Sequence, residues 1–197
     1  SIAEIEKCIL LCNYYAENVE SFLQSEQIKT EAEKSYVTYE PLGVILGIMP
    51  WNYPFWQVFR FAIPVLSAGN VCLVKHSTKV PQCSILIEKI FKKAGFPGHV
   101  YTNLLIDSST IQEIIENPYI QGVSLTGSVE AGSKVAEVAG RNIKKTVLEL
   151  GGSDPFIILE DADMQKACQT AVQSRNINSG QSCISAKRFI VVKKRAE

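Results

Sequence analysis

The sequence predicts an α/β fold: a parallel, twisted sheet with helices on both faces, followed by the start of a second α/β domain. Two observations lead there. Short apolar runs such as Val44–Met49 and Val71–Val74 recur without polar alternation, the mark of strands covered on both sides. Segments with helical spacing separate them, so strand and helix alternate along the chain.

In order, residues 1–24 carry a helical repeat, with Ile2, Ile5, Ile9, Cys12 and Tyr15 on one expected core face, and Ser1 with Glu4 has the form of a capping box. Residues 28–40 are polar and alternate near Ser35–Tyr39, which predicts an exposed strand or hairpin. The alternation then runs strand Val44–Met49, helix Pro54–Ala68, strand Val71–Val74, helix Gln82–Ala94, strand Tyr101–Leu105, helix Ser109–Asn117, strand Gln121–Leu125, helix Val129–Ala139 and strand Lys145–Leu150. After Pro155 come strand Phe156–Leu159, helix Asp163–Ser174 and strand Lys187–Val192. Sheets of this kind bind ligands beyond the carboxyl ends of their strands.

Composition narrows the function. The 197 residues are 46% hydrophobic, enough for a real core. Twenty basic residues balance twenty acidic ones, so the basic excess of a nucleic-acid-binding domain is absent. No apolar run approaches a membrane span, and there is no leader pattern. Six cysteines without a Cys-x-x-Cys pair read as reduced thiols in a cytoplasmic protein, five of them in the core. No metal site is expected, since Cys8 and Cys12 have no further ligand nearby in sequence.

Four strand ends carry chemistry. Asn52 stands between Pro50 and Pro54, where its amide can donate to an oxyanion or cap the following helix. Lys75 follows a strand, placed for a ribose or phosphate, or for solvent. Thr126-Gly127-Ser128 leads into a helix N-terminus, an anion-ready element that matches neither the GxGxxG fingerprint nor a phosphate loop. Glu149 ends an apolar strand, and a carboxylate in apolar surroundings has its pKa raised toward the range of a general base. Thirty-four residues on, Cys183 follows Gly180-Gln181-Ser182, small and polar neighbours that leave it accessible, as a nucleophile or as an incidental residue of a glycine-rich loop.

In order and spacing, Pro41-Leu42-Gly43-Val44, Pro50-Trp51-Asn52-Tyr53-Pro54, Ala68-Gly69-Asn70, Lys75, Ala94-Gly95-Phe96-Pro97, Thr126-Gly127-Ser128, Leu148-Glu149-Leu150-Gly151-Gly152 and Gly180-Gln181-Ser182-Cys183 resemble the aldehyde dehydrogenase superfamily across essentially the whole chain. Trp56-Gln57-Val58-Phe59-Arg60-Phe61 and Ala186-Lys187-Arg188-Phe189 look most like its succinate-semialdehyde dehydrogenase branch. Family members are longer, and this chain looks like a middle portion of one. The resemblance implies a helix over 1–27, oligomerisation strands over 28–42, a Rossmann-like NAD(P)-binding domain over 43–150 and the beginning of a catalytic domain over 151–197. It also implies a homodimer or homotetramer.

The resemblance implies that Cys183 attacks the aldehyde carbon while Asn52 and the Cys183 N–H hold the oxyanion. Hydride leaves for NAD or NADP, a thioester remains, and Glu149 activates the water that releases the acid. Ile48, Met49, Pro50 and Trp51 would line the cofactor cleft, Lys75 would meet the adenosine ribose, Gly127 and Ser128 the pyrophosphate, with Leu150 and Gly151 also near the cofactor. NAD-preferring members often place a Glu three residues after the Lys. Here that position is Thr78, and Ser77 and Thr78 can donate to a 2′-phosphate, so NADP is expected to be accepted. Two other readings stand beside this one: a non-catalytic nucleotide-binding or assembly fragment, and a cysteine hydrolase whose base would be His76 or His99.

Overall fold

The computed structural model describes residues 2–196, so the capping role read for Ser1 lies outside the described residues. The chain divides into two compact units, residues 1–149 and 150–197.

The first unit opens with α1 (Ile2–Phe22) and a short antiparallel pair, β1 (Glu26–Gln27) and β2 (Tyr36–Val37), the hairpin the polar stretch predicts. Then come β3 (Val44–Met49), α2 (Trp56–Ser67), β4 (Val71–His76), α3 (Pro81–Lys93), β5 (Tyr101–Asn103), α4 (Ile111–Glu116), β6 (Ile120–Gly127), α5 (Val129–Arg141) and β7 (Lys145–Leu150). The strands form one sheet in the order β5-β4-β3-β6-β7, with β3–β4, β3–β6 and β4–β5 parallel.

Register assigns the two faces. Ile45, Gly47 and Met49 share a face with Cys72, Val74 and Tyr101, and there α1, α2 and α3 supply Cys8, Val58, Phe59, Ile87 and Phe91 to one core. Phe91 stacks on Tyr101 with ring centroids 4.5 Å apart and on Phe59 at 5.6 Å. On the opposite face Leu46, Val123 and Leu125 are buried near α4 and α5. Gly47 sits under α2, where an added Cβ would lie 2.5 Å from the Phe61 ring. The absence of a side chain is what lets helix and strand approach.

Several expectations change. The buried face of α1 is Glu4 and Cys8, with Leu11 and Cys12 beside them, whereas Ile2, Ile5 and Ile9 are exposed. α2 begins at Trp56 rather than Pro54, because residues 51–55 form a turn. β4 runs on through Lys75 and His76, both buried, so Lys75 is part of the strand and not a solvent-facing end. β7 is the sheet edge, and its residues are largely exposed rather than covered on both faces.

The second unit holds β8 (Pro155–Ile158), α6 (Met164–Asn176) and β9 (Arg188–Val191), with β8 and β9 parallel. Asp163 caps α6 by accepting the Lys166 N–H. Phe156 packs on Phe189 at 5.7 Å and Ile158 is buried, while Ile157, Phe189 and Ile190 remain exposed. Cys168 on α6 is exposed, which corrects its assignment to the core.

Candidate active site

Strand register brings the first unit's candidates to one edge of the sheet. Met49 pairs with His76, and Ile48 pairs with both Lys75 and Leu125, so the ends of β3, β4 and β6 lie side by side. Pro50 and Trp51 continue from β3, Ser77 and Thr78 from β4, and Ser128 from β6.

Lys75 is 7% exposed, and its Nζ lies 3.2 Å from the Ser108 hydroxyl. Among the described residues no carboxylate pairs with it. A buried ammonium held only by a neutral hydroxyl retains capacity for a further acceptor. Ser128 caps α5, its Oγ accepting the Ala131 N–H at 3.2 Å, and the thirteen-residue helix behind it directs N–H groups outward. Between α4 and α5 a cavity of about 350 Å³ is lined by Ile48, Ser108, Leu125, Ala131, Lys134 and Val135. A cation, an open helix start and an apolar slot suit the phosphates, ribose and base of a dinucleotide, so these residues fit the implied cofactor.

The segment after Lys75 is a tight turn. Ser77 Oγ accepts the Lys79 N–H at 3.3 Å and so helps to shape it. Thr78 is exposed, and the Lys79 ammonium lies 5.2 Å over the Trp51 ring.

Asn52 is not the cap of α2. Phe55 holds that position without a side-chain bond, and Glu4 Oε1 of α1 accepts the N–H groups of Phe55 at 2.9 Å and Trp56 at 3.0 Å.

Glu149 departs from expectation. Its side chain is 51% exposed and pairs with Arg60 at 3.3 Å, so its surroundings are cationic and open to solvent rather than apolar. The reason is the edge position of β7. Arg60 and Glu149 line a groove of about 490 Å³ with Gln57, Phe61, Thr126 and Val147. Gln57 is 5% exposed, and among the described residues its Oε1 has no hydrogen-bond partner. Sequence reasoning missed Gln57 as a site residue, although it stands one helical turn before Phe61 and next to the motif that carries Asn52.

In the second unit Asn178, Ser179 and Gly180 take successive left-handed conformations, with φ of 50°, 56° and 77°. Such a run of positive φ is rare for non-glycine residues and marks a shaped loop. It leads through exposed Gln181 and buried Ser182 to Cys183, which is half-buried. Lys187 Nζ lies 2.6 Å from the Cys183 carbonyl, placing a positive charge in the same loop. Leu150 is half-buried and Gly151 exposed. By contrast Cys8 and Cys72 are buried, and burial pushes their thiols up to about 11 and about 12. Cys12 is also raised by burial.

The aldehyde dehydrogenase family profile matches residues 1–197. A protein of Synechocystis sp. (strain ATCC 27184 / PCC 6803 / Kazusa), described as a probable NADP(+) succinate-semialdehyde dehydrogenase, is 55% identical over 191 residues, covering 97% of this chain and 42% of that protein. The NADP(+) succinate-semialdehyde dehydrogenase 1 of Mycobacterium bovis (strain BCG / Pasteur 1173P2) is 50% identical over 192 residues, again 42% of its length. The crystal structure of succinic semialdehyde dehydrogenase from Streptococcus pyogenes in complex with NADP+ superposes with a TM-score of 0.95 at 39% identity, covering 98% of this chain and 42% of that one. The chain thus spans about two fifths of the length of the relatives it matches. A fold shared at that level and a profile match along the whole sequence lead to one conclusion: the chain belongs to the aldehyde dehydrogenase family.

Proposed function

We propose that this chain is the cofactor-binding and nucleophile-bearing portion of an enzyme that oxidises succinate semialdehyde to succinate, with NADP as a cofactor and NAD as an alternative. The observation that carries the reading is the convergence, in strand register, of Met49, Lys75 and Leu125 just before the Asn52, Ser77 and Ser128 turns. It sets a cation, hydroxyls and a helix start along one sheet edge, where parallel sheets hold nucleotides. The names of relatives at 50–55% identity support the substrate and NADP.

When bound, the nicotinamide supplies a hydride acceptor. Cys183 adds as thiolate to the aldehyde carbon, and the Asn52 amide with the Cys183 N–H donates to the oxygen as charge develops there. Glu149 takes a proton from the water that cleaves the thioester. Lys75 and Ser128 hold the cofactor, with Ile48, Met49, Pro50, Trp51, Ser77, Thr78, Gly127, Leu150 and Gly151 around it. Arg60 is the cation that a distal carboxylate would meet. Its five donors can serve both that group and Glu149, and its exposed pairing with Glu149 is weak enough to rearrange. Residues 43–150 act as the dinucleotide domain, 151–197 begin the catalytic domain and 28–42 pair subunits in a homodimer or homotetramer. Six free thiols among the described residues fit a cytoplasmic setting.

The test is steady-state turnover of the whole enzyme with succinate semialdehyde and with butanal, using each cofactor. Reduced NADP should form, with the charged substrate favoured, and Arg60→Leu should erase that preference by raising KM. Asn52→Ala should slow the first chemical step by roughly 10²–10³. NADP+ binding without turnover of either aldehyde would favour the non-catalytic reading.

A further inference from the structure

Two buried side chains outside these motifs meet on a single peptide unit. His76 ends β4 on the face that carries α2, and its Nε2 lies 2.8 Å from the Pro54 carbonyl oxygen. The Ser77 N–H donates to His76 Nδ1 at 2.8 Å and to the Met49 carbonyl at 2.9 Å. A ring nitrogen that accepts is bare, so the proton sits on Nε2 and that nitrogen donates to Pro54. From the other side Glu4 Oε1 accepts the Phe55 N–H at 2.9 Å. The Pro54 carbonyl and the Phe55 N–H are the two poles of one peptide group, which is planar and rigid. It is held at both ends by side chains 8% and 4% exposed, from α1 and β4. Lys7, three residues after Glu4 on α1, lies 3.9 Å over the Trp56 ring and secures the same corner.

We propose that Glu4 and His76 are positioning residues that clamp the Pro54–Phe55 peptide and thereby fix the turn that presents the Asn52 amide to the developing oxyanion. The proposal rests on the reading of Asn52 as the oxyanion donor. Neither residue touches substrate; both act through the turn. An oxyanion donor works only if its direction is set before charge appears, and a displacement of about 1 Å costs on the order of a hundredfold. α2 gives this turn no side-chain cap of its own, and Glu4 and His76 hold it together with the Gln57 N–H, which donates to the Tyr53 carbonyl at 3.1 Å.

The clamp needs neutral His76. In the protonated ring Nδ1–H would face the Ser77 N–H, donor against donor. Burial lowers the His76 pKa below its ordinary value of about 6.5; the Pro54 hydrogen bond opposes this, the Lys75 ammonium adds to it, and the Glu4 carboxylate opposes it. A depressed histidine pKa leaves the clamp's stability intact above about pH 6.5, to be lost as pH falls toward the folded-state value.

The two histidines make the test simple, since His99→Gln identifies the His76 signals. Imidazole 1H–15N spectra of the chain at pH 7 should show Nδ1 bare and Nε2 protonated, with the second ring protonation below pH 6.5. The Asn52 side-chain amide signals should move in Glu4→Ala and His76→Ala and stay near wild type in Glu4→Gln, whose Oε1 still accepts both N–H groups. In the whole enzyme the two alanine variants should lower kcat by roughly tenfold to a hundredfold with KM for NADP+ within about twofold, and Glu4→Gln should recover most of it. The opposite tautomer in the wild type would overturn the proposal, and that measurement needs no variant to fold. Unchanged Asn52 signals and kcat in folded alanine variants would also overturn it. An Asn52→Ala enzyme with unaltered kcat would instead defeat the oxyanion reading, leaving the tautomer and amide shifts to judge the clamp.

Discussion

Cys183 differs in environment from Cys8, Cys72 and Cys168. Cys8 and Cys72 are buried and pushed up to about 11 and 12, so neither offers thiolate near neutrality. Cys168 is exposed but stands on a plain helix, whereas Cys183 follows a left-handed run and shares its loop with the Lys187 ammonium. Iodoacetamide at pH 8 should therefore label Cys183 first, and mass mapping that finds Cys168 first would contradict the assignment. The raised thiols also set an alkaline limit. A folded pKa above the unfolded one stabilises fully below the unfolded value, about 9, and that contribution is lost as pH rises toward 12. The melting temperature should fall across that window, and less steeply in Cys72→Ala. At Thr78 the prediction concerns charge. The side chain is exposed, two residues past the buried Lys75 strand and beside Lys79. Thr78→Glu adds a carboxylate that repels a 2′-phosphate, on the order of a tenfold loss or more of NADP turnover, with NAD little changed. Equal losses with both cofactors, measured as kcat/KM, would count against it.

The elements of the sheet were largely legible in the sequence, because buried parallel strands are short apolar runs. Val44–Met49 and Lys145–Leu150 form with the expected bounds. The environment of a strand was less legible. β7 reads as apolar, yet it is the edge, and an edge is a property of strand order that periodicity does not carry. The surroundings of Glu149 differ from the expected apolar ones for that reason. Lys75 erred the other way: the strand continues two residues beyond its apolar core and buries a charge. On α1 the isoleucine stripe is exposed, while the face that packs on α2 includes Glu4, whose bonds reach a helix start 51 and 52 residues away. Packing of α2 on β3 turns on Gly47. Gly47→Ala should destabilise the protein by about 1–3 kcal/mol, because the methyl group would press into the Phe61 ring. Urea denaturation measures this, and a variant as stable as wild type would show that the ring can move aside.

At the scale of the molecule, no helix among the described residues is long and apolar enough to cross a membrane. Ile157, Phe189 and Ile190 nevertheless expose apolar surface on the β8–β9 pair. Surface of that kind favours association, so sedimentation of this chain should show species heavier than its 21.8 kDa as concentration rises, and a monomer at all concentrations would contradict that. The central claim is chemical: Cys183 carries the acyl group and Glu149 helps to remove it. Glu149→Gln in the whole enzyme, mixed with succinate semialdehyde and NADP+, digested under acid and examined by mass spectrometry, tests it most directly. The account predicts a burst of reduced cofactor and a succinyl thioester on the peptide that contains Cys183. An adduct on another cysteine, or parental steady-state turnover with neither burst nor adduct, would contradict it.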